Sequence, residues 1–341
     1  MKQKSNLIFL SAPFQIFDKL LPFLEEKKLD NLVFVIPEEL QYFFKKYYKD
    51  SKIISPDVRY LITKNTKRKL ITNTLRLKKE YKEVFSPYEG CNVYLFFVAH
   101  SISYFYYITR LKKRGSDVTV MYPKNPLFRD KTYFKRGKGI FAFFMQKYAQ
   151  YILGVPNYIN VRFGSNVWIF DYEKLDTESV LKKISIGEFN IPERFREDIP
   201  KRFKTLFVGS SPHSHGANFD SVTKVTNELM SVLEEESLVI KTHPRHNTIY
   251  GKMKETKNII PPEVLSETLM FHPWEYVIGY NSMSLIKAKK YTSGKVISLI
   301  KLYETTDELK PVMIKEFERV GVLVPESIEE MKKMLSDASW K

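Results

Sequence analysis

Two short apolar runs with an amphipathic stretch between them decide the fold of this chain: KTLFVGSS (204–211), SVTKVTNELMSVLEEE (221–236) and SLVIKTHP (237–244). The runs have the length of buried strands, and the stretch between them spaces its apolar residues by three and four, as an amphipathic helix does. The rhythm continues with a strand at 275–282, a helix at 283–291 and a strand at 295–300. Alternating strands and helices predict a parallel sheet covered on both faces.

The first half of the chain repeats this rhythm. Its apolar runs are separated by amphipathic stretches, and Gly115 suits the end of the helix ISYFYYITRLKKRG (102–115). The region 183–203 mixes prolines with charges and carries no strong period, so we place a linker there. The predicted organisation is an N-terminal Rossmann-like domain at 1–182 and a C-terminal Rossmann-like, nucleotide-binding domain at 204–341. The predicted strands of the first half are NLIFLSA (6–12), NLVFVIP (31–37), NVYLFFVAH (92–100) and DVTVMYP (117–123).

The composition excludes several classes of protein. Of the 341 residues 43% are hydrophobic, which is too many for a disordered chain. The formal charge of +16 predicts an anionic partner: a phosphate- or carboxylate-bearing small molecule, an anionic membrane surface or nucleic acid. Cys91 is the only cysteine, which excludes an intrachain disulfide and suits the cytoplasm. No apolar stretch is long enough to span a bilayer, and the first is too short for a signal peptide.

A cationic turn follows the strand at 238–241. His243 comes directly after this strand, so we expect it at the carboxyl edge of the sheet, where open α/β sheets bind their ligands. Pro244 fixes the turn, and Lys241, Arg245 and His246 surround the imidazole with charge that suits phosphate. Histidine titrates near neutral pH and can donate a proton or hydrogen bond to a departing phosphate. An ordinary surface turn is the alternative.

Two further loops complete the candidate site. In GYNSMSLI (279–286) a strand passes through Gly279, Asn281 and Ser282 into a helix that contains Ser284, and such a helix start can bind phosphate or simply be capped by Asn281 or Ser282. We expect this turn beside the His-Pro turn. In VGSSPHSHGANFDSVTKV (208–225) Asp220 is a candidate general base, with a helix cap as its alternative role. His213 and His215 lack a third ligand at a recognisable spacing, so no metal is expected.

The order of four motifs resembles glycosyltransferase family 52, the bacterial lipooligosaccharide and capsule sialyltransferases. FLSAPFQIFDKLL (9–21) is similar to the family's TP-x-Q opening, and IKTHPRHN (240–247) resembles its K-x-HP-R motif. IIPPEVLSETLM (259–270) resembles its P-x-E segment and GYNSMSLI its serine motif. Each motif is short, but the four stand in the family's order over residues 9 to about 286.

The resemblance implies an α/β, GT-B-like arrangement of two Rossmann-type domains facing across a cleft. It also implies an inverting, metal-independent transfer of sialic acid from CMP-sialic acid to a sugar hydroxyl, with no cofactor. His243 would assist the departure of CMP, and Asp220 is the best match for the base. On the acceptor side of the cleft the resemblance implies Ser11, Pro13 and Gln15. The donor-binding residues it implies are Lys241, Thr242, Pro244, Arg245, Pro262, Glu263, Gly279, Asn281, Ser282 and Ser284.

One departure leaves the donor sugar and the base open. Bacterial sialyltransferases of this kind often carry an acidic D/E-D-G motif after a first-domain strand, whereas DVTVMYPKNPLF (117–128) has Tyr122, Pro123, Lys124 and Asn125 there. First-domain carboxylates or Asp171 are the alternative bases. CMP-Kdo or a nonulosonic acid other than sialic acid is the alternative donor, and an altered or lost activity is also left open.

Other readings of the chain stay open beside this one. A CDP-polyol-phosphate transferase of wall or capsule synthesis would also use a His-Pro turn, but the second pair, His272 and Pro273, precedes a strand and suits a structural role. A non-catalytic protein that binds anionic glycan or nucleic acid is the alternative from another class, although the lysines are spread along several helices rather than clustered. We expect a CMP-sugar donor and a surface-glycan acceptor as partners and no nucleic acid, and we expect a cytoplasmic protein. Association with the inner face of the membrane, for example through 133–153, and a homodimer are left open.

Overall fold

The computed structural model describes residues 4–10, 16–57, 70–96, 102–120, 148, 151–154, 161–163, 166–168, 192–210, 216–243, 248–307 and 309–336. The chain divides into two compact units, Met1–Asn190 and Ile191–Lys341. Within the described residues, no helix combines the length and the apolar character that crossing a bilayer requires.

The N-terminal unit is built on a parallel five-stranded sheet in the order β3-β2-β1-β4-β5. A separate antiparallel pair, β6 and β7, aligns Val161 with Trp168. The strands are β1 (Asn6–Leu10), β2 (Leu32–Val35), β3 (Lys52–Ile54), β4 (Asn92–Phe96), β5 (Asp117–Val120), β6 (Val161–Phe163) and β7 (Asn166–Trp168). The helices are α1 (Leu21–Lys27), α2 (Gln41–Tyr47), α3 (Leu70–Glu80) and α4 (Ile102–Lys113).

Aromatic side chains fill much of the core of this unit. Phe85 stacks on Tyr107 with ring centroids 4.3 Å apart, and Phe9 meets the edge of Tyr104 at 5.7 Å. These contacts join β1, α4 and the helical turn that follows α3. As expected, α4 ends before Gly115, whose φ of 85° is a left-handed conformation that favours glycine.

The C-terminal unit repeats the strand order in a second parallel sheet, β10-β9-β8-β11-β12. Its strands are β8 (Thr205–Val208), β9 (Leu238–Lys241), β10 (Ile259–Ile260), β11 (Tyr276–Gly279) and β12 (Lys295–Ser298). Its helices are α5 (Phe219–Met230), α6 (Ser284–Tyr291), α7 (Lys310–Arg319) and α8 (Ile328–Ser336). Two sheets, each with the first five strands of the Rossmann order 3-2-1-4-5-6, confirm the predicted α/β class.

One expectation about this sheet is wrong. The His-Pro turn after β9 and the serine turn after β11 are not adjacent, because β8 lies between their strands and pairs with both. The chain adds β9 and β10 on one side of β8 and then crosses to add β11 and β12 on the other. Because of this crossover, the topological switch point lies between β8 and β11. Open α/β sheets bind their ligands at such a point.

The helix predicted at 221–236 begins earlier and ends earlier than expected. It spans Phe219–Met230, and a separate helical turn covers Glu235–Ser237. Three successive glutamates at 234–236 would place negative charge at the negative end of the helix dipole, which disfavours extending α5 through them. The N-cap is Asn218, whose Oδ1 accepts from the backbone N–H of Asp220 at 2.9 Å and of Ser221 at 3.1 Å. Asp220 is therefore not the cap.

Candidate functional site

Two glycines let the backbone of three strands converge at the carboxyl edge of the C-terminal sheet. Gly209 follows β8, and its N–H donates to the carbonyl oxygen of Lys241 at 2.7 Å. A Cβ on Gly209 would stand 2.9 Å from that oxygen and 3.3 Å from the backbone nitrogen of His243. A Cβ on Gly279, at the end of β11, would stand 2.9 Å from the carbonyl oxygen of Val208. Neither position has room for a side chain without a backbone shift.

Two buried hydroxyl groups lie at this convergence. They belong to Ser210, next after Gly209, and to Thr242, next after β9. Among the residues described, neither hydroxyl has a hydrogen-bond partner. The buried hydroxyl groups of Thr223 and Thr256, elsewhere in the C-terminal unit, also lack a hydrogen-bond partner among the described residues. The hydroxyl groups of Ser210 and Thr242 differ from these in lying at the ends of neighbouring strands. An unmade hydrogen bond of this kind costs about 1–3 kcal/mol, and a bound ligand that supplies the partner removes that cost.

Lys241 points into the protein rather than away from it. Its side chain is 2% exposed, and its ammonium group donates to the carbonyl oxygens of Thr242 and of Pro262, the latter at 3.2 Å. Burial lowers the pKa of Lys241 to about 8, against the attraction of Glu267 and Glu263. The lysine thus ties the end of β9 to the loop that carries Pro262 and Glu263, two residues that by the motif resemblance would line the nucleotide.

The turn that follows this loop contains one member of a buried ion pair. Glu267 is 3% exposed and accepts from Nζ of Lys287 at 3.1 Å and from Oγ of Ser266 at 3.2 Å. Burial alone would raise the pKa of the Glu267 carboxyl, but the Lys287 ammonium and the hydrogen bonds hold it below its usual value. Since Lys287 belongs to α6, the pair fixes α6 against the turn at Ser266–Leu269.

The predicted serine turn is tied into the same cluster. Oγ of Ser284, the first residue of α6, lies 2.9 Å from Oγ of Ser266. Oγ of Ser282 accepts from the N–H of Ser284 at 3.3 Å, so Ser282 partly caps the helix. Asn281 lies in the same turn, after Gly279. Ser284 is thus connected to the cluster of Ser266, Glu267 and Lys287, and the carboxylates of Glu267 and Glu263 attract the Lys241 ammonium.

The two residues with predicted catalytic roles lie on different elements. His243 follows Thr242 directly and is partly buried, with its backbone nitrogen close to Gly209. Asp220 is exposed in the first turn of α5, beside the residues after β12: the N–H of Glu304 donates to Oγ of Ser221 at 2.9 Å. The acidic side chain at the N-terminus of α5 suits the helix dipole whether or not it acts in catalysis.

Several of the predicted residues lie outside the described ranges. They are Pro244 and Arg245 after His243, His213 and His215 after β8, Asp171, and the acceptor-side residues Ser11, Pro13 and Gln15.

Sequence reasoning missed four residues of the site. Gly209 and Ser210 stand in VGSS directly after β8, and that position next to the switch point is the signal that could have found them. Glu267 and Lys287 are further apart in sequence, and no short motif connects them. Their pairing depends on α6 crossing over the Ser266–Leu269 turn.

The second His-Pro pair has the structural role that its position suggested. His272 is buried, its Nε2 lies 2.7 Å from the carbonyl oxygen of Phe203, and its ring is 4.3 Å from that of Trp274. It precedes β11 and thus lies at the opposite edge of the sheet from His243.

Comparisons with known proteins were made by sequence and by structure. No protein-family model and no curated protein matches the chain, so the resemblance to family 52 rests on its motifs alone. The glycotransferase of kitacinnamycin, a solved structure, matches with a TM-score of 0.51 at 9% identity over 99% of this chain and 92% of that one. The fold is GT-B-like. The predicted pair of Rossmann-type domains is confirmed by this likeness and by the two sheets.

Two other solved structures match over nearly the whole chain at lower scores. The glycosyltransferase SnogD from Streptomyces nogalater has a TM-score of 0.46 at 10% identity, covering 98% of this chain and 92% of that one. The UDP-GlcNAc 2-epimerase of Methanocaldococcus jannaschii, solved with UDP-GlcNAc and UDP, has a TM-score of 0.45 at 14% identity, covering 98% and 93%.

Proposed function

We propose that this protein is a glycosyltransferase that takes its sugar from a nucleotide donor and binds the donor phosphate at the carboxyl edge of the C-terminal sheet. The proposed donor is a CMP-sugar, CMP-sialic acid or a related nonulosonic acid, and the proposed acceptor is a hydroxyl of a surface glycan. The donor class comes from the motif resemblance, and the place of binding comes from the geometry of the edge.

One observation carries the proposal: the two buried hydroxyls of Ser210 and Thr242 at adjoining strand ends, beside His243. Their lack of partners among the described residues leaves two donors available to a ligand with acceptor oxygens, such as phosphate. Gly209 lets the two strand ends approach so closely that both hydroxyls belong to one small region. The GT-B-like fold supports the same edge as the ligand site.

Two exposed apolar side chains suit the nucleoside part of such a donor. Phe219 begins α5, the helix after β8, and Met283 precedes α6, the helix after β11, so they stand at the starts of the helices on either side of the switch point. An aromatic ring and a thioether are adaptable surfaces for a nucleobase.

The proposed reaction inverts the sugar carbon. The acceptor hydroxyl attacks the anomeric carbon, a new C–O bond forms, and the bond from that carbon to the phosphate oxygen of CMP breaks. The proton of the acceptor goes to a carboxylate, for which Asp220 is the candidate. His243 donates a hydrogen bond or its proton to the phosphate oxygen that leaves, and stabilises the charge that develops there.

The experiment replaces the imidazole by a smaller side chain that still donates a hydrogen bond. His243→Asn cannot transfer a proton, so transfer from CMP-sialic acid or CMP-Kdo should fall by at least ~100-fold while affinity for CMP changes little. A folded His243→Asn protein with wild-type turnover would exclude His243 as the proton donor, and wild-type turnover of His243→Ala as well would remove His243 from the mechanism. Asp220→Asn tests the base in the same assay, and unchanged turnover would move the search to Asp171 and the first-domain carboxylates.

The alternatives give different results with the wild-type protein. A CDP-polyol-phosphate transferase would turn over CDP-ribitol or CDP-glycerol and leave CMP-sugars unused. A non-catalytic binder of nucleic acid would turn over neither, and its affinity for an oligonucleotide would fall steeply as salt rises.

A further inference from the structure

We propose that the N-terminal unit carries a docking surface for an anionic lipid bilayer, formed by exposed apolar side chains on α3 and in the turn at 151–154 with lysines around them. Ile71 and Leu75 on α3 are 74% and 62% exposed, and Tyr151 in the turn is 76% exposed. These three are the most exposed large hydrophobic side chains among the described residues. The proposal does not rest on the transferase function.

The pattern on α3 separates two faces of one helix. Thr74 and Leu77 are buried and pack inward. Ile71 and Leu75 stand four residues apart on the outward face, one turn above the other. Leu77 belongs to the core cluster of this unit, and the outward pair is not part of that cluster. An outward aliphatic pair of this kind is instead typical of a helix that lies on a membrane surface.

Tyr148 and the turn at 151–154 lie next to this helix. The hydroxyl groups of Tyr148 and Thr74 are hydrogen-bonded, which joins the turn to α3 at the residue next to Leu75. The N–H of Ile152 donates to the carbonyl oxygen of Tyr148 at 2.9 Å, and Leu153 is fully buried. This arrangement turns Tyr148 and Leu153 inward and leaves Tyr151 and Ile152 outward, with Ile152 49% exposed.

The charges around these side chains identify the surface they would meet. Lys78, three residues after Leu75, continues the face of Ile71 and Leu75 along α3, and Lys82 is exposed in the helical turn that follows α3. Nζ of Lys113 lies 3.4 Å from the position that a Cβ on Gly154 would take, which brings a third lysine to the turn. Lysines beside aliphatic and aromatic side chains are complementary to anionic headgroups above an apolar layer. Nucleic acid would use the lysines but offers no apolar layer for the aliphatic pair.

The test is flotation of the full-length protein with vesicles of phosphatidylcholine, with and without one-quarter phosphatidylglycerol. The wild-type protein should bind the anionic vesicles and bind pure phosphatidylcholine weakly. Ile71→Ser with Leu75→Ser should weaken binding to the anionic vesicles by ~tenfold or more, because both side chains lose their transfer into the bilayer. Lys78→Gln with Lys82→Gln should weaken it by about fivefold for each lysine at low salt.

The matched control changes two exposed aliphatic residues in the C-terminal unit. Leu309 and Val312, at the start of α7, are 39% and 50% exposed, and Leu309→Ser with Val312→Ser should leave vesicle binding at the wild-type level. Circular dichroism confirms that each variant is folded. Three results would overturn the proposal: no binding of the wild-type protein to anionic vesicles, equal binding by the Ile71/Leu75 variant, or an equal loss in the control. Binding to an oligonucleotide that competes fully with vesicles and is unaffected by the Ile71/Leu75 change would assign the lysines to nucleic acid instead.

Discussion

In the part of the chain that the structure describes, the two sheets share one strand order, and each has a buried polar cluster at a different edge. In the N-terminal sheet the side chain of Asn92 donates to that of Asn6 at 2.9 Å, and Asn6 donates to the carbonyl oxygen of Asp30 at 2.6 Å. Asn6 and Asn92 begin β1 and β4, so this network lies at the amino edge. In the C-terminal sheet the cluster around Lys241 and Glu267 lies at the carboxyl edge.

The difference contrasts a structural use of polar groups with an arrangement that we propose to bind a ligand. The asparagine network satisfies its members within the protein and holds two strands in register. The carboxyl-edge cluster instead retains a desolvated lysine, a buried ion pair and two hydroxyls without partners among the described residues. Each of these lowers stability relative to an apolar core. Arrangements that reduce stability in this way are expected where a ligand binds.

The largest expected effect comes from the buried ion pair. Glu267→Gln removes the negative charge but keeps the size, and leaves the ammonium group of Lys287 buried without its counter-charge. Stability should fall by about 3 kcal/mol. Urea unfolding, monitored by hydrogen exchange of the backbone amides of β8, β9 and β11, measures the loss of stability in the C-terminal unit.

A second substitution sharpens this test. Glu267→Gln with Lys287→Met removes both charges and should recover part of the lost stability. If Glu267→Gln alone leaves the stability unchanged, the ion pair does not hold α6 in place.

The next effect is a pH dependence of stability caused by Lys241. Its pKa is lowered to about 8 in the folded protein, against an ordinary value of 10.5. Between these values the unfolded chain keeps the proton that the folded protein releases, so this group makes stability rise with pH. The free energy of unfolding of the wild-type protein, minus that of Lys241→Met, should therefore rise by up to about 3 kcal/mol from pH 8 to 10.5.

A difference for Lys241→Met that stays flat between pH 8 and 10.5 would show that the Lys241 ammonium is hydrated.

Removing a buried hydroxyl should affect stability and binding in opposite directions. Thr242→Val preserves the shape of the side chain and removes an oxygen without a partner among the described residues, so stability should rise by about 1 kcal/mol. Affinity for CMP should fall about tenfold if that hydroxyl donates to the phosphate. Thr256→Val is the control, with a similar gain in stability and unchanged affinity. A loss of stability in Thr242→Val would mean that the hydroxyl already has a partner in the free protein.

The smallest effect belongs to an ion pair on the surface of the N-terminal unit. Lys79 and Glu83 lie 3.7 Å apart with both side chains mostly exposed. Replacing both by glutamine should change stability by less than about 0.5 kcal/mol. A change comparable with that of Glu267→Gln would remove the contrast between the two units.

Much of the fold follows from the sequence because it depends on local pattern. The period of the apolar residues predicts β9 and α4, and Gly115 marks the end of α4 because few other residues adopt its φ. The place of β8 between β9 and β11 depends on a crossover that no local pattern encodes. The end of α5 at Met230 is also hard to predict, because the apolar spacing continues to 236 while the helix dipole disfavours the glutamates at 234–236.

The candidate site was predictable in part for the same reason. Strand ends with polar residues are visible in sequence, which is why His243, Thr242 and Gly279 were found. The direction of the Lys241 ammonium is a tertiary property: basic neighbours suggested that it faces a ligand, whereas the structure turns it toward the carbonyl oxygens of Thr242 and Pro262. The role of Glu267 depends on Lys287, twenty residues away, and so had no local signal.

The central claim is that a nucleotide phosphate binds at the carboxyl edge of the C-terminal sheet, and calorimetric titration tests it most directly. The full-length protein is titrated with CMP, CDP, UDP and GDP, and the titration is repeated with Ser210→Ala combined with Thr242→Val. We expect saturable binding that is strongest for CMP and at least ~tenfold weaker in the variant. Failure of all four nucleotides to bind, or equal binding by the variant, would contradict the claim.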